Sequence, residues 1–254
     1  MSLLEARELS REFGGVHALE ALSFAIEPGR VHGIIGPNGA GKTTLLNLLT
    51  GIYEASAGHI AFDGADITRW PAHACAAAGI ARTFQTPQVF ENMSALENVM
   101  VGAHRHAGAG LARALLRLPG FARGEHALRE QAAAHMEFVG IGAYAGADAG
   151  SLPYGAMKRL EIARALATQP RLLLMDEPAA GLNPTETAQL EALIRRIAAR
   201  GVTVVLVEHN MRLVMEVCEH ILVLDGGRWL AEGSAREVRE NPHVIEAYLG
   251  TVHS

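Results

Sequence analysis

The chain has 254 residues, 49% hydrophobic and 19% charged, enough apolar material for a packed core and too little charge for a disordered chain. Its 22 Lys and Arg against 27 Asp and Glu give a net charge of −5, which argues against nucleic acid as a partner, since such binders carry a basic face. Cys75 and Cys218 stand outside any CxxC pair, and neither a signal-like apolar start nor a run of about 18 apolar residues occurs, so the chain reads as soluble, cytoplasmic and without disulfides.

The first thirty residues read as short strands, Leu3–Ser10 and Ser23–Glu27, around a loop holding Phe13-Gly14-Gly15. The apolar run Val31–Ile35, bounded by glycines, suits a buried strand. It empties into a Gly-rich turn, after which Lys42–Leu49 reads as a helix ended by Gly51. His59–Ile67 is a hairpin pattern, because Asp63-Gly64 supplies the positive φ of a type I′ turn. From Ser94 to Asp148 the composition shifts to Ala, Arg, Leu, His and Glu, which predicts helix, with a Gly/Pro-interrupted stretch over 107–124. A helix near Gly155–Thr168, stopped by Pro170, precedes a strand at Leu172–Met175. A helix over Pro184–Arg200, ended by Gly201, precedes a strand at Val202–Val207. Strands separated by helices imply βαβ units and a mostly parallel sheet. The whole chain, 1–254, thus divides into one α/β core, residues 1–85 and 151–254, interrupted by a helical insert over 86–150.

Gly36-Pro37-Asn38-Gly39-Ala40-Gly41-Lys42-Thr43 matches G-x-x-x-x-G-K-[ST] at every fixed position, after a predicted strand and opening a helix. Glycines let backbone N–H groups curl around phosphate oxygens, and the helix N-terminus adds about half a positive charge. Lys42 can reach the β- and γ-phosphates, and the Thr43 hydroxyl can ligate Mg²⁺. A nucleoside triphosphate is the expected ligand. In Leu172-Leu173-Leu174-Met175-Asp176-Glu177-Pro178, four apolar residues bury a strand and two carboxylates appear where it emerges. Asp176 is placed to hold Mg²⁺, through water or directly, and Glu177 to polarise an attacking water.

Between these two patterns, Ser151-Leu152-Pro153-Tyr154-Gly155-Ala156-Met157-Lys158-Arg159-Leu160-Glu161-Ile162-Ala163-Arg164-Ala165-Leu166 resembles the signature motif and following helix of ABC-type ATPases. Gln85 stands at the Q-loop position, Ala180-Gly181-Leu182-Asn183 follows Glu177 as a D-loop does, and Val207-Glu208-His209-Asn210-Met211 ends a strand as an H-loop does. The resemblance spans essentially the whole chain. It implies an α/β P-loop NTPase core of ABC type, with a small antiparallel β subdomain and an inserted α-helical subdomain, working on ATP and Mg²⁺. It also implies that Phe13 stacks on adenine, that Thr44 supports the α-phosphate, and that Gln85 touches Mg²⁺ or the attacking water and senses a docked membrane partner. His209 would contact the γ-phosphate. Gly155 would offer its N–H to ATP on a second ATPase subunit, so that a head-to-tail dimer completes the site. Taken alone, Phe13 reads as a packing aromatic and His209 as a core histidine.

Two positions depart from the family pattern. The common Leu-Ser-Gly-Gly-Gln is Leu152-Pro153-Tyr154-Gly155-Ala156 here, and proline removes a hydroxyl and an N–H. A bond lost to a charged oxygen is worth about 1.5–3 kcal/mol, so this half-site is expected to work but to close more weakly. Asn183 stands where the D-loop more commonly has Asp.

Ala81-Arg82-Thr83-Phe84-Gln85, the Tyr-Gly signature, residues 177–184, Glu208–Met211 and Asn241–Gly250 together look like the ATP-binding subunits of bacterial branched-chain amino acid importers. This implies a motor on the cytoplasmic face of the inner membrane. Two ATPase subunits, alike or sister chains, would clamp ATP and pull on two transmembrane permease subunits fed by an external binding protein. Pro87, Val89, Phe90 and Met93 would line the groove for a permease helix, although Phe90 and Met93 also read as ordinary core. Urea or amide importers and envelope-lipid exporters have similar ATPases and stay open. A single motif set without a heptad insertion argues against ABC ATPases of translation or DNA maintenance, and the missing Asn-Lys-x-Asp argues against a GTPase. Arg105, Arg113, Arg117, Arg123 and Arg129 of the insert face either lipid headgroups or solvent. His104 and His106 have the wrong spacing to share a metal on one helix face.

Overall fold

The computed structural model describes residues 2–104 and 121–249. Arg105, Arg113, Arg117 and the Arg123 side chain lie outside what is described. The chain forms two compact units, one from the residues up to Arg82 with Arg171–Ala179 and the chain from Thr187 onward, the other from Thr83–Pro170 and Ala180–Glu186.

The first unit holds two sheets. β1 (Leu4–Phe13), β2 (Val16–Ile26), β4 (Ala57–Phe62) and β5 (Ala65–Asp66) are antiparallel, in the order β2-β1-β4-β5. Phe13 closes β1 opposite Val16 instead of lying in a loop, so the turn is made by Gly14 and Gly15 alone, both at positive φ. Asp63 (φ 50°) and Gly64 (φ 79°) make the left-handed pair that a type I′ hairpin requires.

The second sheet contains β3 (Val31–Ile35), β6 (Ile80–Thr83), β7 (Leu172–Asp176), β8 (Thr203–Val207), β9 (His220–Asp225) and β10 (Arg228–Gly233) in the order β10-β9-β3-β8-β7-β6. β9, β3, β8 and β7 run parallel, and β10 returns antiparallel as an edge. β3, β7 and β8 are buried at all five positions, which explains why each is mostly apolar, with His32, Asp176 and Thr203 the exceptions. Ile34 pairs with Val207, and Val207 with Asp176, so the last residues of β8 and β7 share a row with the next-to-last residue of β3.

Helices α1 (Lys42–Leu49) and α2 (Ala72–Ala78) belong to this unit, as do α7 (Met211–Val217), α8 (Ala235–Glu240) and α9 (Pro242–Leu249). Leu45, Leu46 and Leu49 of α1 join Leu22, Phe24, Ile60, Leu172, Leu174 and Val205 in one apolar cluster. α6 (Pro184–Ala198) starts on a proline, where no N–H is needed, and buries Leu190, Leu193, Ile194 and Ile197 at helical spacing.

In the second unit, α3 (Ala95–Ala103), α4 (Phe121–Val139) and α5 (Tyr154–Ala167) pack on one another. A capping box opens α3: the Glu97 N–H donates to Ser94 Oγ at 3.2 Å and the Ser94 N–H to Glu97 Oε2 at 2.8 Å. The predicted helical segment is not helical throughout. Gly140, Gly142, Gly146 and Gly150 lower helix propensity there, and the chain makes only short 3₁₀ turns at Gly142–Tyr144 and Ala149–Ser151. No helix among the described residues is long and apolar enough to cross a membrane.

Leu174 is fully buried in β7. Leu174→Ala is expected to lower unfolding stability by about 2–5 kcal/mol in a urea titration, and a change below about 1 kcal/mol would remove it from the packed core.

Candidate active site

β3 leads directly into the glycine-rich loop, whose path has no room for side chains at two points. A Cβ on Gly36 would lie 2.2 Å from the Leu224 carbonyl oxygen, and one on Gly41 2.6 Å from that of Ala18. Gly41, at φ 92°, is the N-cap of α1, and no side chain caps the helix, so its amide end is left for an anion. The Ala40 N–H donates to Pro37 O at 3.2 Å and closes the loop. Asn38, Gly39 and Thr43 are exposed, and Pro37 and Thr44 are half-buried. Lys42 is buried, and its Nζ donates to Gly36 O at 2.6 Å and Pro37 O at 2.9 Å. Burial holds this ammonium below the ordinary lysine range, while the carboxylates of Glu177 and Asp176 oppose the shift.

Because Ile34, Val207 and Asp176 share a row, the loop, Glu177 and His209 emerge at the same sheet edge. The Glu177 N–H donates to Val207 O at 2.8 Å, with Glu177 at φ 43°, a left-handed conformation that costs a non-glycine residue energy and marks functional turns. His209 Nδ1 lies 3.5 Å from Glu177 Oε2. Glu208 is fully buried between the two turns. Its Oε1 accepts from the Ala179 N–H at 2.8 Å, and its Oε2 accepts from the His209 and Asn210 N–H groups at 3.2 Å each. Burial pushes the Glu208 carboxyl above the usual glutamate range, and those amide bonds pull the other way. Asp176 is held by Arg82, whose Nη2 donates to Asp176 Oδ2 at 2.8 Å and whose Nη1 donates to Asn47 Oδ1 at 2.6 Å.

Phe13, 39% exposed, carries the Arg11 guanidinium 4.3 Å from its ring centroid and meets Tyr53 edge-on at 5.3 Å. Gln85 and Gly155 belong to the second unit. The Gln85 carbonyl accepts from Lys158 Nζ at 2.6 Å. Gly155 is the second residue of α5, and a Cβ there would come within 2.5 Å of Glu186 Oε1. Pro153 is the N-cap of that helix, one residue ahead of its first turn. Asn183 caps α6: its Oδ1 accepts from the Glu186 N–H at 2.9 Å, and Glu186 Oε2 accepts from the Asn183 N–H at 2.9 Å. Asp and Asn serve this capping role equally, which accounts locally for the D-loop departure. Phe90 is 48% exposed with the Arg164 guanidinium 5.3 Å from its ring centroid, so it is not core; Pro87, Val89 and Met93 are half-buried.

Residues 36–44, Asp176, Glu177 and His209 therefore gather in the first unit, which also contains Phe13. Arg82 and Glu208 stand inside motifs that give them no role of their own, and Arg11 and Tyr53 lie outside any motif. For Arg82 and Glu208 the available signal is a charge within or directly after an apolar strand, where burial demands a partner. For Arg11 and Tyr53 the sequence carries none.

The family model for ABC transporter matches residues 19–180, and that for branched-chain amino acid ATP-binding cassette transporter matches residues 230–254. The chain is 45% identical over 249 residues to the high-affinity branched-chain amino acid transport ATP-binding protein BraF of Pseudomonas aeruginosa, covering 98% of each. It is 41% identical to the corresponding protein LivG of Escherichia coli over 249 residues, again 98% of each. Among solved structures, a nucleotide-free ATP-binding cassette from an ABC transporter matches with a TM-score of 0.85 at 34% identity, over 98% of this chain and 100% of that one. The ADP conformation of such a cassette matches with 0.85 at 34% identity, over 98% and 99%. The expected α/β cassette fold is the fold of these structures, and the chain belongs to the ABC transporter family as an ATP-binding subunit that hydrolyses ATP.

Proposed function

We propose that this protein is the motor of a branched-chain amino acid importer, in which ATP closes a pair of such subunits and hydrolysis reopens them. The observation that carries the substrate is the 45% identity, over 98% of both chains, to a branched-chain amino acid transport ATP-binding protein. The chain acts as one cassette, whose second unit reaches past the expected 86–150 and includes α5. Its partners are a second ATPase subunit, alike or sister, two transmembrane permease subunits and, indirectly, an external binding protein, with the cassette peripheral on the cytoplasmic face of the inner membrane.

Phe13 offers a ring face to adenine, backed by Arg11. The loop 36–41 and the first turn of α1 receive phosphate oxygens, with Thr44 at the α-phosphate and Lys42 exchanging its two backbone carbonyls for the β- and γ-phosphates. No cluster of three or more His, Cys, Asp or Glu able to hold a metal occurs among the described residues. A hydroxyl, one carboxylate and substrate phosphates are the oxygen donors that suit Mg²⁺, so Thr43 and Asp176 fit its site, and the part of Gln85 at Mg²⁺ or the attacking water rests on the resemblance alone. When bound, Mg²⁺ supplies positive charge to the phosphates. Glu177 takes a proton from the attacking water, and His209, 3.5 Å from that carboxylate, orients the water at the γ-phosphate. Gly155 of the second subunit completes the site with its N–H.

In source cells whose only copy carries Glu177→Gln, labelled leucine uptake is expected to fall about a hundredfold, the scale of a lost general base, with urea entry unchanged. Normal leucine uptake with lost urea entry would reassign the substrate, and no change in either would remove the protein from uptake. Arg82→Met leaves the buried Asp176 carboxylate unpaired, so denaturant unfolding should show a loss of about 3–5 kcal/mol, and an unchanged midpoint would contradict the pairing.

A further inference from the structure

Three charged side chains of α5 are withdrawn from water without belonging to the ATP site. Lys158 is 4% exposed, Glu161 2%, and the Arg164 side chain 19%. Spaced three apart, they lie on one face of the helix. All three meet the backbone of the same short segment. Lys158 Nζ donates to Gln85 O at 2.6 Å. Glu161 Oε1 accepts from the Phe84 N–H at 3.2 Å and the Gln88 N–H at 3.4 Å. Arg164 Nη2 donates to Gln88 O and stands 4.0 Å from Glu161 Oε1. Lys158 Nζ also sits 5.6 Å from the ring centroid of Tyr154, the residue before Gly155.

A buried charge is tolerated only where it is paired and hydrogen-bonded, and apolar residues on this face would have packed without that penalty. Glu161 Oε2 is buried and has no hydrogen-bond partner, so the carboxylate is retained for the amides it does hold. Segment 84–88 is otherwise loop, outside any sheet ladder, and these side chains satisfy backbone groups that secondary structure does not.

We propose that Lys158, Glu161 and Arg164 are positioning residues that fasten segment 84–88 to α5, so that Gln85 and the helix carrying Gly155 move as one piece. The proposal deepens the motor reading and rests on it only for the role of Gln85 in catalysis. A change sensed after Gln85 is then delivered to the start of α5 through side chain–backbone bonds instead of through the intervening 65 or so residues of chain.

The test is amide hydrogen exchange on the full chain without nucleotide, comparing Glu161→Ala, Glu161→Gln and Lys158→Met. In Glu161→Ala, exchange at Phe84 and Gln88 is expected to speed up about tenfold or more, the scale of a lost charge-assisted bond, with β8 amides unchanged. Glu161→Gln, which keeps one acceptor oxygen, is expected to give a smaller rise confined to the same amides, and it decides the matter if the alanine variant unfolds. In steady-state ATP turnover, Lys158→Met is expected to lower kcat with KM for ATP within about twofold, because positioning and not nucleotide binding is lost. Unchanged exchange at Phe84 and Gln88, or an equal rise in β8, would overturn the clamp. A wild-type chain without ATP turnover would defeat the motor reading instead and leave the exchange result standing.

Discussion

The register of three buried parallel strands is the constraint on which the rest depends. β3, β8 and β7 align Ile34, Val207 and Asp176 in one row, and within two residues of that row come Gly36, which opens the glycine-rich loop, His209 and Glu177. A slip of one residue in β7 would shift its carboxylates by about 3.3 Å and turn their side chains to the opposite face. The slip is prevented because every position of all three strands is buried, so any other register exposes apolar surface or buries an acid. A site at the carboxyl edge of parallel strands is thus a consequence of the core.

At that edge the chain holds several charges out of water, and each has a named partner. Asp176 has Arg82, Glu208 has three amides, and Lys42 has two carbonyls of its own loop. Such charges do little for net stability, but removing one partner strands the other, which makes the arrangement rigid. The left-handed backbone of Glu177 belongs with them, since strain persists only where its surroundings over-determine it. The Val207 carbonyl and Glu208 fix that turn from both sides. A carboxylate proposed as the base must not wander while phosphates bind and leave, and these bonds hold its backbone in place.

Legibility followed burial and punctuation. Val31–Ile35 and Lys42–Leu49 are legible to the residue because glycine bounds a mostly apolar run on one side and opens a helix on the other. Asp63-Gly64 likewise announced its hairpin through backbone conformation alone. The edge pair β9 and β10 goes unread although Ile221–Leu224 is apolar and Asp225-Gly226-Gly227 is a turn, because such a run does not say which sheet it joins. Composition overstates helix after Val139, where alanine is frequent but glycine recurs. Among chemical groups, those proposed to meet the nucleotide sit at the fixed positions of motifs and are visible. Arg82, Glu208 and Glu161 face other parts of the same chain, and their meaning appears only when distant segments meet.

The claim that strand register builds a site in which binding and hydrolysis rest on different side chains is tested most directly by paired measurements of ATP affinity and ATP turnover on Glu177→Gln and Lys42→Ala. Glu177→Gln should keep ATP affinity within about threefold while turnover falls about a hundredfold or more, because the proposed base is lost and the phosphate cradle is untouched. Lys42→Ala should lose affinity as well. Turnover surviving in Glu177→Gln, or affinity collapsing with it, would contradict the account.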